Sequence, residues 1–376
     1  MSLRGGICLK VLKVALTGGP CGGKTTSIKT IEEEFTERGY HVIIVPEAAT
    51  ILINSGIRPF GKNGLSLYDF QKYVMNLQLY LESVAEQAAS EIDAPSIIIC
   101  DRGLMDDKAY VTEEEFQRLL KDAGTTQFDL LNRYDLVMHL VTAADGKEEF
   151  YTTANNEARI ETPEEAREKD KKTLKAWLGH DNLKIMGNDT DFETKIAKTV
   201  REIYNLLKNP YPVQKQEKYL VTDVDVDKLL GTSPVLIEIE QYFSLIEGGD
   251  VIYRKSRCNG ETKYTKITKL DTAENKERII KKKNITEEEY LSNFTDGITP
   301  IRKKRYCFSY KNQYFRLDLF EDGLKLLEIE ETNKTRERKL PDFIQVSDEV
   351  TDNVDYRNAA IYDRLNKTKN QTKKKC

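Results

Sequence analysis

The stretch Val11-Leu12-Lys13-Val14-Ala15-Leu16-Thr17-Gly18-Gly19-Pro20-Cys21-Gly22-Gly23-Lys24-Thr25-Thr26 decides the first half of the fold. Gly18–Thr25 matches the phosphate-binding pattern G-x-x-x-x-G-K-[ST] in full. The apolar run Val11, Leu12, Val14, Ala15, Leu16 precedes it, and Ile28, Ile31 and Phe35 follow at helical spacing. Strand, glycine-rich loop and helix in that order bring backbone N–H groups and a helix N-terminus to a phosphate chain. In this reading Gly18, Gly19, Cys21, Gly22, Gly23 and Thr26 line the phosphates. Lys24 reaches the terminal ones, and the Thr25 hydroxyl holds Mg²⁺. The expected ligand is ATP or GTP with Mg²⁺; the base stays open.

Working outward, His41–Val45, Ser96–Cys100, Leu136–Val141 and Leu183–Met186 read as short buried strands. Phe70, Tyr73, Val74, Leu77, Leu81, Val84 and Ala88 follow a helical repeat, and a last helix is expected over 192–207. Strands alternating with helices give a parallel sheet covered on both faces, an α/β phosphate-loop fold. The pattern stops at Asn209-Pro210-Tyr211-Pro212, where two prolines favour an extended linker. Beyond it the period becomes 2. Val235–Phe243, Val251–Arg257, Lys263–Lys269, Ile301–Phe308, Tyr314–Phe320 and Lys325–Glu331 read as strands of a mostly antiparallel β domain, with one helix near 287–294. At 376 residues two domains are the natural expectation. The expected division is an N-terminal extension (1–10), the phosphate-loop domain (11–208), a linker (209–212), the β domain (213–364) and a basic disordered tail (365–376).

Composition narrows the classes. The chain has 39% hydrophobic and 32% charged residues, and no apolar run approaches the ~20 residues that cross a bilayer. Residues 1–10 lack the apolar core of a secretory signal, so a cytoplasmic protein is expected. The six cysteines show no C-x-x-C spacing, which fits reduced thiols, and three histidines speak against a histidine metal site. The net charge of −4 hides basic clusters at Lys281-Lys282-Lys283, Arg302-Lys303-Lys304-Arg305 and Lys373-Lys374-Lys375. No nucleic-acid partner is expected. The basic tail would suit an anionic membrane surface, which leaves peripheral membrane association open.

Further side chains of the first half carry candidate chemistry. Asp101 follows its strand where phosphate-loop enzymes place a second Mg²⁺ carboxylate; its other reading is a helix cap. Glu47 lies at the same sheet edge and either orients an acceptor hydroxyl or caps a helix. Arg102 either bridges phosphates or forms a structural salt bridge. The polar segment between Phe150 and His180 stands where a mobile lid would be. Its Arg159 and Arg167 are candidates for stabilising transferred phosphoryl charge.

The segments Leu16–Thr26, Val45–Thr50 (V-P-E-A-A-T), Cys100–Gly103 (C-D-R-G) and Asn155–Glu161 (N-N-x-x-R-x-E) resemble the AAA_28 group, which is similar to nicotinamide-riboside kinases of the NadR type. The resemblance covers residues 11–208 and implies a kinase-like domain, with Glu47 and Arg102 falling where such enzymes keep a hydroxyl-orienting acid and an arginine. Asn188-Asp189-Thr190-Asp191 falls where such folds hold the base.

In the second half, alternation sorts charges by face. Lys255 shares a face with Arg257, while Arg254 points the other way. Lys303 pairs with Arg305, Arg316 with Asp318, and Glu328 with Glu330 in the same manner. That charged face is either the inside of a barrel, where charges must pair or meet a ligand, or the solvated face of an open sheet. The segments Val213–Val221, Ile239–Tyr242, Ile301–Arg305, Leu327–Glu330, Leu340–Phe343 and Glu349–Thr351 resemble the CYTH family, the triphosphate-tunnel fold. This implies an eight-stranded antiparallel tunnel lined by Lys218, Lys255, Arg257, Lys266, Lys303, Arg305, Arg316, Glu328 and Glu330. The family's E-x-E-x-K reads Gln214-Lys215-Gln216-Glu217-Lys218 here, so two metal-binding glutamates are amides. The joined architecture resembles the TRPL translocation defect family, which implies guanine-nucleotide binding, phosphoinositide binding and a trafficking role. The leading expectation is a regulatory nucleotide-binding protein whose tunnel holds a phosphorylated ligand without cleaving it. The alternative is a small-molecule kinase acting on a nucleoside-like acceptor. A tunnel triphosphatase ranks below both, because half of its metal site is replaced.

Overall fold

Both side-chain sets of β1 (Val11–Thr17) are buried, as a central strand covered on two faces requires. The protein is described by a computed structural model over residues 11–151, 162–208, 216–247, 249–271, 278–293, 298–330 and 339–373. After β1 come α1 (Lys24–Glu37), β2 (His41–Val45), α2 (Ala48–Asn54), α3 (Leu67–Glu91) and β3 (Ser96–Asp101). A 3₁₀ helix, Leu104–Ala109, leads to α4 (Glu113–Asp122), α5 (Gln127–Leu131) and β4 (Leu136–Leu140). The unit ends with α6 (Pro163–Trp177), β5 (Leu183–Met186) and α7 (Phe192–Lys208). The chain divides into two units, Met1–Pro210 and Tyr211–Cys376.

Among the described residues the first unit has five strands, parallel in the order β2-β3-β1-β4-β5. The direction of crossing reverses at β1, which opens a crevice at the carboxyl ends of the strands. Ile28, Ile31 and Phe35 of α1, the expected apolar face, pack with Val200, Ile203 and Leu206 of α7 beneath the sheet. The helical repeat on α3 is only partly realised: Phe70 and Val74 are buried, but Tyr73 and Val84 are 48% and 45% exposed. Gln78 and Glu82 are buried on that helix instead. The reason is Lys13 of β1, itself buried, whose ammonium pairs with the fully buried Glu82 and, at 2.6 Å, with Glu86. Arg133 Nε (3.0 Å) and the Tyr134 hydroxyl (2.6 Å) also donate to Glu82.

The second unit holds β6 (Gln216–Val224), α8 (Val226–Gly231), β7 (Val235–Ile246), β8 (Gly249–Cys258), β9 (Glu261–Asp271), β10 (Arg278–Asn284) and α9 (Glu287–Leu291). It continues with β11 (Ile301–Tyr310), β12 (Gln313–Phe320), β13 (Lys325–Glu330), β14 (Ile344–Glu349) and α10 (Asn358–Lys373). Among the described residues the strands form one nine-stranded antiparallel sheet, ordered β10-β9-β8-β7-β11-β12-β13-β6-β14. Tight turns join neighbours, with Asn259 and Gly260 at φ 48° and 81° between β8 and β9. Helix α10 runs to Lys373, so much of the tail expected to be disordered from residue 365 is helical. Ile361, Tyr362 and Leu365 give it an apolar face that packs on the sheet.

This sheet curls on itself into a tunnel-like domain. β10 and β12 are five places apart in its order, which would be about 24 Å in a flat sheet. Yet Lys282 of β10 lies within the field of Arg316 on β12 and Arg305 on β11, and charges beyond about 10 Å are largely screened. One face of the sheet therefore lines a lumen. The other face carries an apolar core in which Phe308 stacks on Phe315 at 5.4 Å, with Leu317, Leu327, Phe343 and Leu229 around them. Phe308→Ala should lower the stability of the full chain by about 3–5 kcal/mol, the cost of an unfilled aromatic cavity. Urea unfolding followed by circular dichroism reads this, and a loss below about 1 kcal/mol would show that the cluster is not core.

Candidate functional site

The glycines of the phosphate loop are there because the loop lies against the end of β4. A Cβ on Gly18 would stand 2.1 Å from the Leu140 carbonyl oxygen, and one on Gly22 would stand 2.5 Å from it. Gly18 also holds φ 128°, a value that side chains oppose. Lys24 opens α1, and its ammonium donates to the carbonyl oxygens of Gly18 (3.1 Å) and Gly19 (2.9 Å). Thr25 and Thr26 follow on the exposed first turn, so the Thr25 hydroxyl is open to a hard cation. Cys21, at φ 55°, is a half-buried cysteine in no disulfide within the loop.

Glu47, Asp101 and Arg102 converge on this loop. Arg102 Nε meets Glu47 Oε1 at 3.0 Å, and its Nη1 donates to Gly18 O at 2.9 Å. The same Nη1 stands 3.5 Å from Asp106. Arg102 thus serves as a structural salt bridge and as a cation at the phosphate loop together, and it holds φ 76° to do so. Glu47 sits at the N-cap of α2 but makes no side-chain cap bond; its Oε2 accepts from Thr50 at 2.6 Å. The 3₁₀ helix after β3 has Gly103, not Asp101, at its N-cap. Burial pushes the Glu47 carboxyl up, but Arg102, Thr50 and Lys24 hold it below its ordinary value. Burial and then the Glu47 charge push Asp101 above its own. Two neighbouring carboxyls moved in opposite directions are the arrangement from which acid–base roles are drawn.

Two carboxylates without a sequence motif support this cluster. Asp106 accepts from the Thr17 hydroxyl and from Trp177 Nε1, both at 2.6 Å, which ties β1 and α6 to Arg102. Asp170 of α6 accepts from Gly19 N at 2.6 Å and Thr142 N at 3.2 Å, and stands 3.2 Å from His139 Nε2. The lid expectation therefore changes. Pro163–Trp177 is a packed helix with Trp177 fully buried, and it grips the loop through Asp170. Arg167 donates to Ala144 O and Glu164, both at 2.6 Å, and no described bond joins it to Glu47 or Asp101. Arg159 lies outside the described residues. Asn188, expected near a base, donates to Thr142 O and Asp145 O and accepts from Lys195, so its amide is committed to the β4 and β5 loops.

Residues 13–195 match the AAA_28 family, an AAA domain. The AAA_28 match spans β1 to the start of α7 and takes in the whole cluster just described. Among solved structures the chain is similar to the inorganic triphosphatase NE1496, with 20% identity and a TM-score of 0.28 over 39% of this chain and 92% of that one. No curated protein matches the sequence. Among the described residues no helix is long and apolar enough to cross a membrane.

In the second unit, register fixes which charges face the lumen. Lys218, Glu328 and Arg316 lie opposite one another on β6, β13 and β12, and Arg305 lies opposite Asp318. Asp318 pairs with Lys303 at 2.5 Å and Arg305 at 2.7 Å. Glu328 pairs with Arg305 (3.1 Å), Lys218 (3.3 Å) and Arg316 (3.7 Å). The expectation for β8 and β9 is corrected by one residue. Arg254, opposite Gln241, faces the lumen. Lys255 and Arg257 lie opposite Glu240 and Glu238 on the outer face, and Lys266 lies there over the Tyr253 ring. The outer glutamates of β7 select that register, since unlike charges opposite each other stabilise a pair of strands. Lys282 faces inward opposite Ile267. It keeps much of its surface open to solvent while protein surrounds it closely, and burial followed by Arg316 and Arg305 lowers it to about 8. Glu330 lies opposite Gln216 on the same ladder, and Gln214 lies outside the described residues.

The phosphate-loop lysine has a measurable signature. Burial and then Arg102 lower Lys24 from 10.5 to about 8, against Asp101, Glu47 and Asp106, which raise it. Its charge is present below that value and lost as pH rises through it. Triphosphate oxygens favour the charged form, so nucleotide affinity should fall by up to about tenfold per pH unit above 8, with proton uptake on binding. Calorimetry at pH 7 and pH 9 in buffers of different ionisation enthalpy checks this; equal affinities without proton uptake would refute it.

Proposed function

We propose that the first unit binds ATP or GTP with Mg²⁺, and that the lumen of the second unit binds a phosphorylated ligand, such as a phosphoinositide headgroup, without cleaving it. The protein then acts as a nucleotide-dependent regulator, associating with membranes peripherally through that ligand. The observation that carries the reading is the Gly18–Thr25 loop, shaped against Leu140 O with the Lys24 ammonium inside it. Thr25 and Asp101 offer a hydroxyl and a carboxylate at one sheet edge, a donor set that suits a hard cation. Mg²⁺ held there would neutralise charge on the terminal phosphates. Lys24 and the loop N–H groups orient the triphosphate, and Arg102 adds a second cation at Gly18. For the lumen, the support among the described residues is that four cations, Lys218, Lys303, Arg305 and Arg316, share two carboxylates, Asp318 and Glu328.

A kinase reading is favoured by one observation, the opposed shifts of Glu47 and Asp101 beside Lys24. In that reading Glu47 takes the proton of an acceptor hydroxyl while its oxygen attacks the terminal phosphorus, and the nucleoside diphosphate leaves. A thermal-shift panel of ATP, GTP, tripolyphosphate and inositol phosphates tests the binding reading. A ligand at about 100 times its dissociation constant adds about 2.7 kcal/mol. Lys24→Ala should abolish the nucleotide shift and spare that of the lumen ligand; no shift with either nucleotide would sink the proposal. Acceptor phosphorylation at about 1 per second or more, lost in Glu47→Gln, would favour the kinase.

A further inference from the structure

Helix α10 lies on the cation-bearing face of the curled sheet. By register Leu220, Leu326, Phe320, Ile301 and Phe243 all point into the lumen, each two residues along its strand from a charged or amide side chain that does the same. Ile361, Tyr362 and Leu365 of α10 pack onto these five residues as one apolar cluster, with the Phe243 and Tyr362 rings 5.1 Å apart. Asn366 pins the helix, accepting from Thr299 N at 2.8 Å and donating to Thr299 O at 3.1 Å. Two residues along a strand is about 7 Å. An apolar plug therefore begins one side-chain layer from the charged belt.

The belt is arranged for anions rather than for a metal. Asp318 is shared by Lys303 and Arg305, and Glu328 by Lys218, Arg305 and Arg316. A divalent cation would have to displace those partners, at the cost of leaving them buried and unmatched. The ladder position opposite Glu330 is the amide Gln216, not a carboxylate. Arg254 meanwhile donates to the neutral oxygen of Gln241 at 3.2 Å, and it lies in the field of Arg305 as Lys282 does.

We propose that the second unit is a one-ended pocket, stopped by α10, in which closely spaced phosphates dock against Arg254, Lys282, Arg305 and Arg316 with no divalent cation between. This rests on reading the lumen as a phosphate site. The required chemistry is a compact cluster of phosphates, which a polyphosphorylated headgroup and the end of a polyphosphate chain both supply. A chain threaded through the domain is excluded, because the apolar contacts of α10 stand across its path.

The test is calorimetry on the full chain with inositol trisphosphate, a short-chain phosphoinositide and tripolyphosphate, each in EDTA and in Mg²⁺. Affinities should agree between the two conditions within about threefold. Arg254→Ala and Lys282→Ala should each weaken binding by about tenfold or more, as loss of a charge-assisted contact does. Long-chain polyphosphate should take up no more than one protein per chain end. Tightest binding of the phosphoinositide assigns a lipid headgroup, and tightest binding of tripolyphosphate a chain end; either supports the pocket. Binding that requires Mg²⁺, or many proteins per polyphosphate chain, overturns it while leaving the phosphate site standing. No binding by any probe in either condition removes the underlying reading itself.

Discussion

A cation can be buried only where an opposite charge or a bound anion answers it, and both units are built around that requirement. In the first, the ammonium of Lys13 sits inside the sheet because Glu82 of α3 meets it there, with Arg133 and Tyr134 completing the network. In the second, Lys303 and Arg305 are held in the lumen by Asp318, whose carboxyl they keep below its ordinary value against the effect of burial. The network in the first unit braces the sheet. The one in the second holds several cations side by side on one face of the curled sheet, each within reach of a shared carboxylate.

The phosphate loop applies the same rule with weaker partners. The Lys24 ammonium is answered by two carbonyl oxygens and by the more distant carboxylates of Glu47, Asp101 and Asp106. That matching is incomplete, and a triphosphate would complete it. Around it Arg102, Asp106 and Asp170 join the loop to the end of β3, to the 3₁₀ helix and to α6, so that three further elements set the position of one lysine. Catalytic geometry depends on such support, because a group held by several elements cannot relax when ligand charge arrives.

How much of this was legible depended on whether the signal was local. Gly18 and Gly22 declared themselves through a motif, and the contact with Leu140 O shows why only glycine serves there. Glu47 and Arg102 stood out by their places after strands. Asp106 and Asp170 did not, since a single acidic residue in a polar stretch looks the same whether it is solvated or meets a Trp177 N–H or a Gly19 N–H. On α3, Tyr73 and Val84 fitted the helical repeat yet lie exposed, while Glu82 broke it and lies inside. Lys13, on a strand distant in sequence, is what reversed them.

The sequence by itself determined the order of strand, loop and helix at Gly18–Thr25, the change of period after Pro212, and which side chains of each β-strand share a face. These follow from φ, ψ and the spacing of neighbours along one segment. Only the tertiary structure decided which face of β8 turned inward. Arg254 and Lys255 alternate equally well either way, and the choice fell to Glu238 and Glu240 on the adjacent strand and to the curl of the whole sheet. Alternation is a property of one strand; inside and outside are properties of a closed surface, and no single strand carries them.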